Sequence, residues 1–155
     1  MIRSATPDDI DSLITLAEAT GLFQPHEVDA FGGMMQEQLA ADSESEDRWL
    51  VDDDNGIKGA AYYAPEAFAE GVWNLYFIGV HPTQQGKGRG SALLHHVELT
   101  LQDQGERILL IDTSSLSSFE QTRSINLKNG YEQEARIRDF YKTGDDKIIF
   151  RKALN

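Results

Sequence analysis

Val80-His81-Pro82-Thr83-Gln84-Gln85-Gly86-Lys87-Gly88-Arg89-Gly90-Ser91 is the stretch on which the reading of this chain turns. Upstream, Val72 to Val80 is rich in aromatic and branched residues and predicts a long strand. Downstream, Arg89 to Gln104 predicts a helix with Leu93, Leu94, Val97 and Leu101 on one side and Gly105 as its stop. Between them Gly86, Gly88 and Gly90 lack Cβ atoms, so the backbone can bend tightly and bring its N–H groups up to a ligand. The opening turn of the helix adds unpaired N–H donors and the positive end of a dipole. Together these features make an anion site suited to a pyrophosphate, to which Lys87, Arg89 and the Ser91 hydroxyl can add contacts.

Three phosphate-binding schemes compete for the turn. A P-loop requires G-x-x-x-x-G-K-[ST], but Lys87 is followed by Gly88 and the first glycine position holds His81. A dinucleotide fold would use Gly86-x-Gly88-x-x-Ser91 with Asp112 as the ribose-binding acid. Against it, the chain does not turn directly off Val80, and the motif lies past mid-chain with little sequence left for more parallel strands. The third scheme is a family signature.

Working outward, strands and helices alternate. Ile2 to Ala5 predicts a short first strand, and Thr6-Pro7-Asp8-Asp9 a helix start with Thr6 as N-cap. Ile10, Leu13, Ile14 and Ala17 recur at helical spacing up to Gly21, and a second helix is expected from Pro25 to about Ala41. Arg48 to Asp52 and Ile57 to Ala64 flank Asn55-Gly56, a hairpin signal. Ile108 to Ile111 predicts a strand ending at Asp112, and Phe119 to Lys128 a short helix stopped at Asn129-Gly130. Tyr131 to Arg138 and Lys147 to Lys152 close the chain as strands around a loop that holds Tyr141 and Gly144. The order β-α-α-β-β-β-α-β-α-β-β predicts a mixed sheet with helices on both faces, in a single domain spanning residues 1–155.

Composition narrows the function. The 155 residues are 40% hydrophobic and 26% charged, a globular balance. No apolar run approaches the length of a membrane helix, and Met1-Ile2-Arg3-Ser4 lacks signal-peptide character. The absence of cysteine fits a reducing cytoplasm and removes thiolate chemistry. A net charge of −12 without a basic stripe argues against nucleic acid and suits a cationic amine. His81, His95 and His96 form no metal cluster, so no metal is assigned. Glu66 and Glu70 could draw a cationic acceptor or simply belong to a solvated loop, while Asp112 could bind an amine, relay a proton or cap its turn with Thr113 and Ser114.

Gln85-Gly86-Lys87-Gly88-Arg89-Gly90 resembles the acetyl-CoA signature [QR]-x-x-G-x-[GA] of the GNAT N-acetyltransferase superfamily. Val80-His81-Pro82 resembles that family's lead-in, Ser91-Ala92-Leu93-Leu94 its helix start, and Asn129-Gly130-Tyr131 the turn after its last helix. The resemblance spans nearly the whole chain and implies an α/β (α+β type) fold, a centrally splayed mixed sheet flanked by helices. It further implies acetyl-CoA as co-substrate, an amine acceptor, and a homodimer as a frequent family habit. Ile78 and Val80 would bind the pantetheine arm through their backbones, the Ile78 N–H would meet the oxyanion, and Gln85 through Ser91 would hold the pyrophosphate. The expected reaction is direct attack by a neutral amine on the thioester, without a covalent enzyme intermediate.

Two positions depart from the family pattern. Asn74 stands where some members carry a Glu base, and Asn126 where many carry a Tyr near the CoA sulfur. Asn126 could still hydrogen-bond the cofactor. Tyr76, on the strand face of Asn74 and Ile78 by alternation, and Tyr141, in the late loop, are the candidate acids. The empty acid and base positions also leave open a second class, an acyl-CoA-binding sensor that has lost catalysis.

Overall fold

The computed structural model describes residues 1–155. Its strands are β1 (Ile2–Ser4), β2 (Arg48–Asp53), β3 (Ile57–Pro65), β4 (Val72–Val80), β5 (Ile108–Ser114), β6 (Glu132–Lys142) and β7 (Asp145–Ala153). Its helices are α1 (Ile10–Thr20), α2 (Pro25–Gln38), α3 (Arg89–Asp103) and α4 (Glu120–Lys128), with 3-10 turns at Pro7–Asp9, Pro82–Gln84 and Ser117–Phe119. This is the expected element order, and the strands form one sheet in the order β1-β2-β3-β4-β5-β7-β6. Pairing is mixed: β4 runs parallel to β5, while β1 with β2, β5 with β7 and β6 with β7 are antiparallel. The chain divides into two compact units, Met1–Tyr62 with Ile78–Leu94, and Tyr63–Phe77 with His95–Asn155.

In the first unit, Asp9 accepts the Thr6 N–H at 2.8 Å and both guanidinium nitrogens of Arg3 at 2.8 and 2.9 Å. Arg3 holds the Asp9 carboxyl below the usual carboxylate range, burial opposes it, and the Thr6 N–H adds to the lowering. Gly21 closes α1 in the left-handed region at φ 68. The second helix ends at Gln38, short of Ala41, as Ser43 N–H bonds back to the Ala40 carbonyl and bends the chain away. Gln38 then accepts Trp49 Nε1 at 2.8 Å and donates to Asp47 at 2.6 Å. Trp49 stacks on Tyr62 with centroids 4.7 Å apart. Asn55 and Gly56 turn the β2–β3 hairpin with φ of 54 and 109, the left-handed pair that Asn-Gly supplies.

In the second unit, β4 pairs with β5 from Val72↔Ile108 to Leu75↔Ile111 and no further, although β4 continues to Val80 and β5 to Ser114. This parting is the expected central splay. The fifth strand outlasts its predicted end because Asp112, Thr113 and Ser114 pair with Ile149, Ile148 and Lys147 of β7. Buried Glu98 accepts Tyr131 Oη at 2.8 Å and Lys152 Nζ at 2.9 Å. Burial, followed by the charge of Glu98 and its hydrogen bond, pushes the Tyr131 hydroxyl far above its ordinary range.

The predicted loop around Tyr141 is corrected: β6 continues to Lys142 and β7 begins at Asp145, so Tyr141 lies on a strand. The polar residues that suggested a loop instead stitch the hairpin. Asp139 accepts the Gly144 N–H at 2.8 Å, while Asp146 accepts the Asp139 N–H at 2.9 Å and Arg136 Nε at 2.6 Å. The Asp139 N–H, then Arg136, lowers the Asp146 carboxyl's pKa. A register shift between Ile137 and Lys142, with Asp139 at φ 55, absorbs the extra residues.

Candidate functional site

The glycine turn is built from its two ends. His81 N–H bonds the Lys58 carbonyl at 2.9 Å, and His81 Nδ1 accepts the Thr83 N–H at 3.2 Å, so the imidazole caps the 3-10 turn. Gln85 Nε2 donates to the Val80 carbonyl at 3.2 Å, closing a loop whose base is the strand end. Gly86 and Gly88 then take φ of 76 and 81, and Ala92 N–H closes on the Gly88 carbonyl at 3.0 Å to open α3. A Cβ on either glycine would meet nothing within 4 Å. Glycine is therefore required there by backbone conformation, and the space before it is open to a ligand. Gly59 does a different job: a Cβ there would lie 3.1 Å from both the Gly79 carbonyl and Leu93, so its absence lets β3 lie close to β4 and α3.

The side chains of the turn are less available than expected. Arg89 Nη1 binds Asp52 and Nη2 binds Asp54, both at 2.8 Å. Asp54 first, then Asp52, raises the Arg89 pKa, and Arg89 in turn depresses the Asp54 carboxyl. The Arg89 guanidinium expected at the anion is thus already neutralised within the protein. What Arg89 retains for a ligand is its place at the helix start, where a main-chain N–H faces out of the helix end. Lys87 is exposed, its Nζ 3.4 Å from Gln84 Oε1. Gly90 and Ser91 lie in the opening turn of α3.

Along β4 burial alternates. On one side Trp73, Leu75 and Gly79 are buried and Phe77 is half-buried, whereas on the other Asn74 is buried, Tyr76 is exposed, and Ile78 and Val80 are half-buried. The open side is the one expected to carry the site, and it begins at the residues where pairing with β5 has ended. An extended segment with unpaired backbone groups can accept a ligand as an added strand.

A polar cluster occupies the second unit. Asn74 Nδ2 donates to Glu66 Oε1 at 2.9 Å and to Asp112 Oδ2 at 3.1 Å. Tyr76 Oη donates to the same Glu66 oxygen at 3.4 Å. Lys147 Nζ pairs with Asp112 Oδ2 at 3.1 Å. Buried Ser114 donates a short hydrogen bond to Asp145. The Tyr141 hydroxyl is pushed up to about 12 by partial burial and then by the carboxylates of Asp112 and Asp145, so it stays protonated at neutral pH.

The structure thus brings Asn74, Tyr76 and Tyr141 into one polar neighbourhood and sets Asn126 apart. Asn126 is only 1% exposed, and its Nδ2 donates to Thr113 Oγ1 at 3.2 Å. Its Nδ2 is thus engaged inside the fold. Sequence reasoning passed over the linkage of Glu66, Asp112 and Lys147 through Asn74. The available signal was an amide in the middle of an otherwise apolar strand, a residue that needs polar partners once buried.

Residues 13–120 match the Acetyltransferase (GNAT) family. A crystal structure described as an acetyltransferase of the GNAT family from Desulfovibrio desulfuricans is 32% identical, with a TM-score of 0.92 over 100% of this chain and 99% of that one. The ribosomal-protein-S18-alanine N-acetyltransferase of Escherichia coli shares the fold at 18% identity and a TM-score of 0.79, covering 100% of this chain and 94% of that one. So does the PaiA N-acetyltransferase of Thermoplasma acidophilum, solved with coenzyme A, at 18% identity and a TM-score of 0.74 over 99% and 98% of the two chains. No curated protein matches the chain.

Proposed function

The chain belongs to the GNAT acetyltransferase family, and from that premise we propose that it transfers an acetyl group from acetyl-CoA to the primary amine of a small molecule, amino acid or peptide. The observation that carries this reading is the turn with left-handed Gly86 and Gly88, open in front of both and set at the start of α3. That cradle fits a pyrophosphate, which the main-chain donors of Gly86 to Ser91 would hold with the helix dipole behind them. Lys87 adds a cation that no carboxylate of the turn pairs with, since Asp52 and Asp54 are paired with Arg89.

The backbones of Ile78 and Val80 supply the strand edge for the pantetheine arm, and the Ile78 N–H supplies the donor for the oxyanion. The thioester supplies an acyl carbon open to direct attack. Asn74 and Tyr76 precede Ile78 on the same strand. The net charge of −12 favours an acceptor that arrives as a cation.

The test is release of free CoA thiol from acetyl-CoA across polyamines, amino acids, aminoglycosides and peptide N-termini. Acceptor-dependent release supports the transferase. Tight CoA binding with no release for any acceptor replaces it with an acyl-CoA sensor.

A further inference from the structure

Direct attack needs a neutral amine, and an amine that arrives as an ammonium must first lose a proton. The candidates in the polar cluster differ in what already occupies them. Asp112 is neutralised by Lys147, with side chains 7% and 18% exposed. Asp145 is bound by buried Ser114. Tyr141, held protonated, is no base at neutral pH. Glu66 is different. It follows β3, its N–H bonds the Val72 carbonyl at 2.8 Å, and its side chain reaches β4. Only Oε1 is used, by Asn74 and Tyr76, so Oε2 accepts no hydrogen bond within the protein and no cation pairs with the carboxylate.

Asn74 supplies the second observation. It is 4% exposed, and its Oδ1 is buried without a hydrogen-bond partner. A buried, unsatisfied carbonyl is costly. Flipping the amide would turn Oδ1 toward the carboxylates of Glu66 and Asp112, which is worse. The fold therefore tolerates an orphaned acceptor in order to keep Nδ2 on the two carboxylates. That is the signature of a positioning residue.

We infer that Glu66 is the proton acceptor for the amine, held at the open side of β4 by the Asn74 amide and the Tyr76 hydroxyl. The inference rests on the transferase reading above. In the balanced step the ammonium gives one proton to Glu66, and the freed nitrogen lone pair forms the N–C bond at the thioester carbon. The C–S bond then breaks, its electron pair leaving on sulfur, and the second nitrogen proton passes to the thiolate. The products are the amide and CoA thiol, and Glu66 returns its proton to solvent.

The experiment follows CoA thiol release with spermidine, kanamycin and an alanine N-terminal peptide from pH 6 to pH 10, in the wild type, Glu66→Gln, and Glu66→Gln with Asn74→Asp. With an acceptor the wild type uses, Glu66→Gln is expected to lose about 100-fold in kcat with the acetyl-CoA KM unchanged, a typical general-base effect. Its residual rate should climb with pH as hydroxide takes over. The double variant exchanges amide and carboxylate between the two positions and is expected to recover at least part of the loss, which a merely structural defect would not do. Wild-type kcat and pH profile in Glu66→Gln overturn the assignment alone. Acetyl-CoA binding without wild-type turnover of any of the three acceptors overturns the transferase reading, and the assignment with it.

Discussion

Arg89 Nη1 stands 2.8 Å from Asp52 Oδ2, so the first turn of α3 is tied to β2 by an ion pair rather than left free for an anion. Replacing Arg89 with Ala leaves Asp52, 5% exposed, with only the N-terminal ammonium 3.7 Å away. A buried carboxylate stripped of its partner destabilises the fold. The expected outcome is a Tm several degrees lower. Lys87→Ala, at an exposed position, should leave Tm in place and weaken acetyl-CoA binding about three-fold, as for a solvent-exposed charge contact. Thermal melts and titration calorimetry separate the two.

Gly88→Ala tests recognition by the main chain. With φ at 81 and nothing within 4 Å of the added Cβ, the variant carries backbone strain of about 1–2 kcal/mol and no internal clash. The new methyl group faces the ligand. Loss of one charge-assisted hydrogen bond raises the acetyl-CoA KM by about ten-fold or more. Urea denaturation and steady-state kinetics on the same preparation give both values.

Tyr141 predicts an alkaline signature. Its hydroxyl is raised from 10.0 to about 12 in the folded protein, so its contribution to stability is complete below pH 10 and lost as pH rises through 12. Tyr141→Phe removes that slope. Because the ring is 46% exposed, the difference between wild type and variant on going from pH 9 to pH 12 is on the order of 1 kcal/mol. Urea melts at the two pH values measure it, and equal losses would remove the combined influence of burial and the two carboxylates on Tyr141.

Lys147→Met leaves Asp112 facing Asn74 without its cation, and the expected loss is about 3 kcal/mol. Adding Asp112→Asn removes the stranded charge and should restore a substantial part. A double-mutant cycle in urea isolates the coupling.

The fold was legible in the sequence wherever periodicity and turn chemistry agreed. Asn55-Gly56, Gly21 and the Val72–Val80 run all appear as expected because each signal is local. The hairpin end of β6 and β7 was not, because Asp139, Gly144 and Asp146 read as a loop while their side chains and N–H groups bond one another across the strands. The same limit applied to the site. Gly86 and Gly88 announce themselves by type, since few residues take that backbone. The pairing of Arg89 is not legible from the turn because Asp52 and Asp54 lie 37 and 35 residues away in sequence. The hydrogen bond from Asn126 to Thr113 likewise lies beyond any local signal. The partners of Asn74, Glu66 and Asp112, lie on two other segments.

Gly86 and Gly88 would contribute shape, not side-chain chemistry, to the proposed anion site. Such recognition is largely indifferent to what the neighbouring side chains are, provided the two torsions survive. The proposed acceptor side is the reverse: Glu66, Asn74 and Tyr76 would act through carboxylate, amide and phenol, and each can be altered by a single substitution. If the proposed transferase reading holds, retargeting the protein to a new amine should be a matter of a few side chains, whereas accepting a different donor would require rebuilding the path of the main chain.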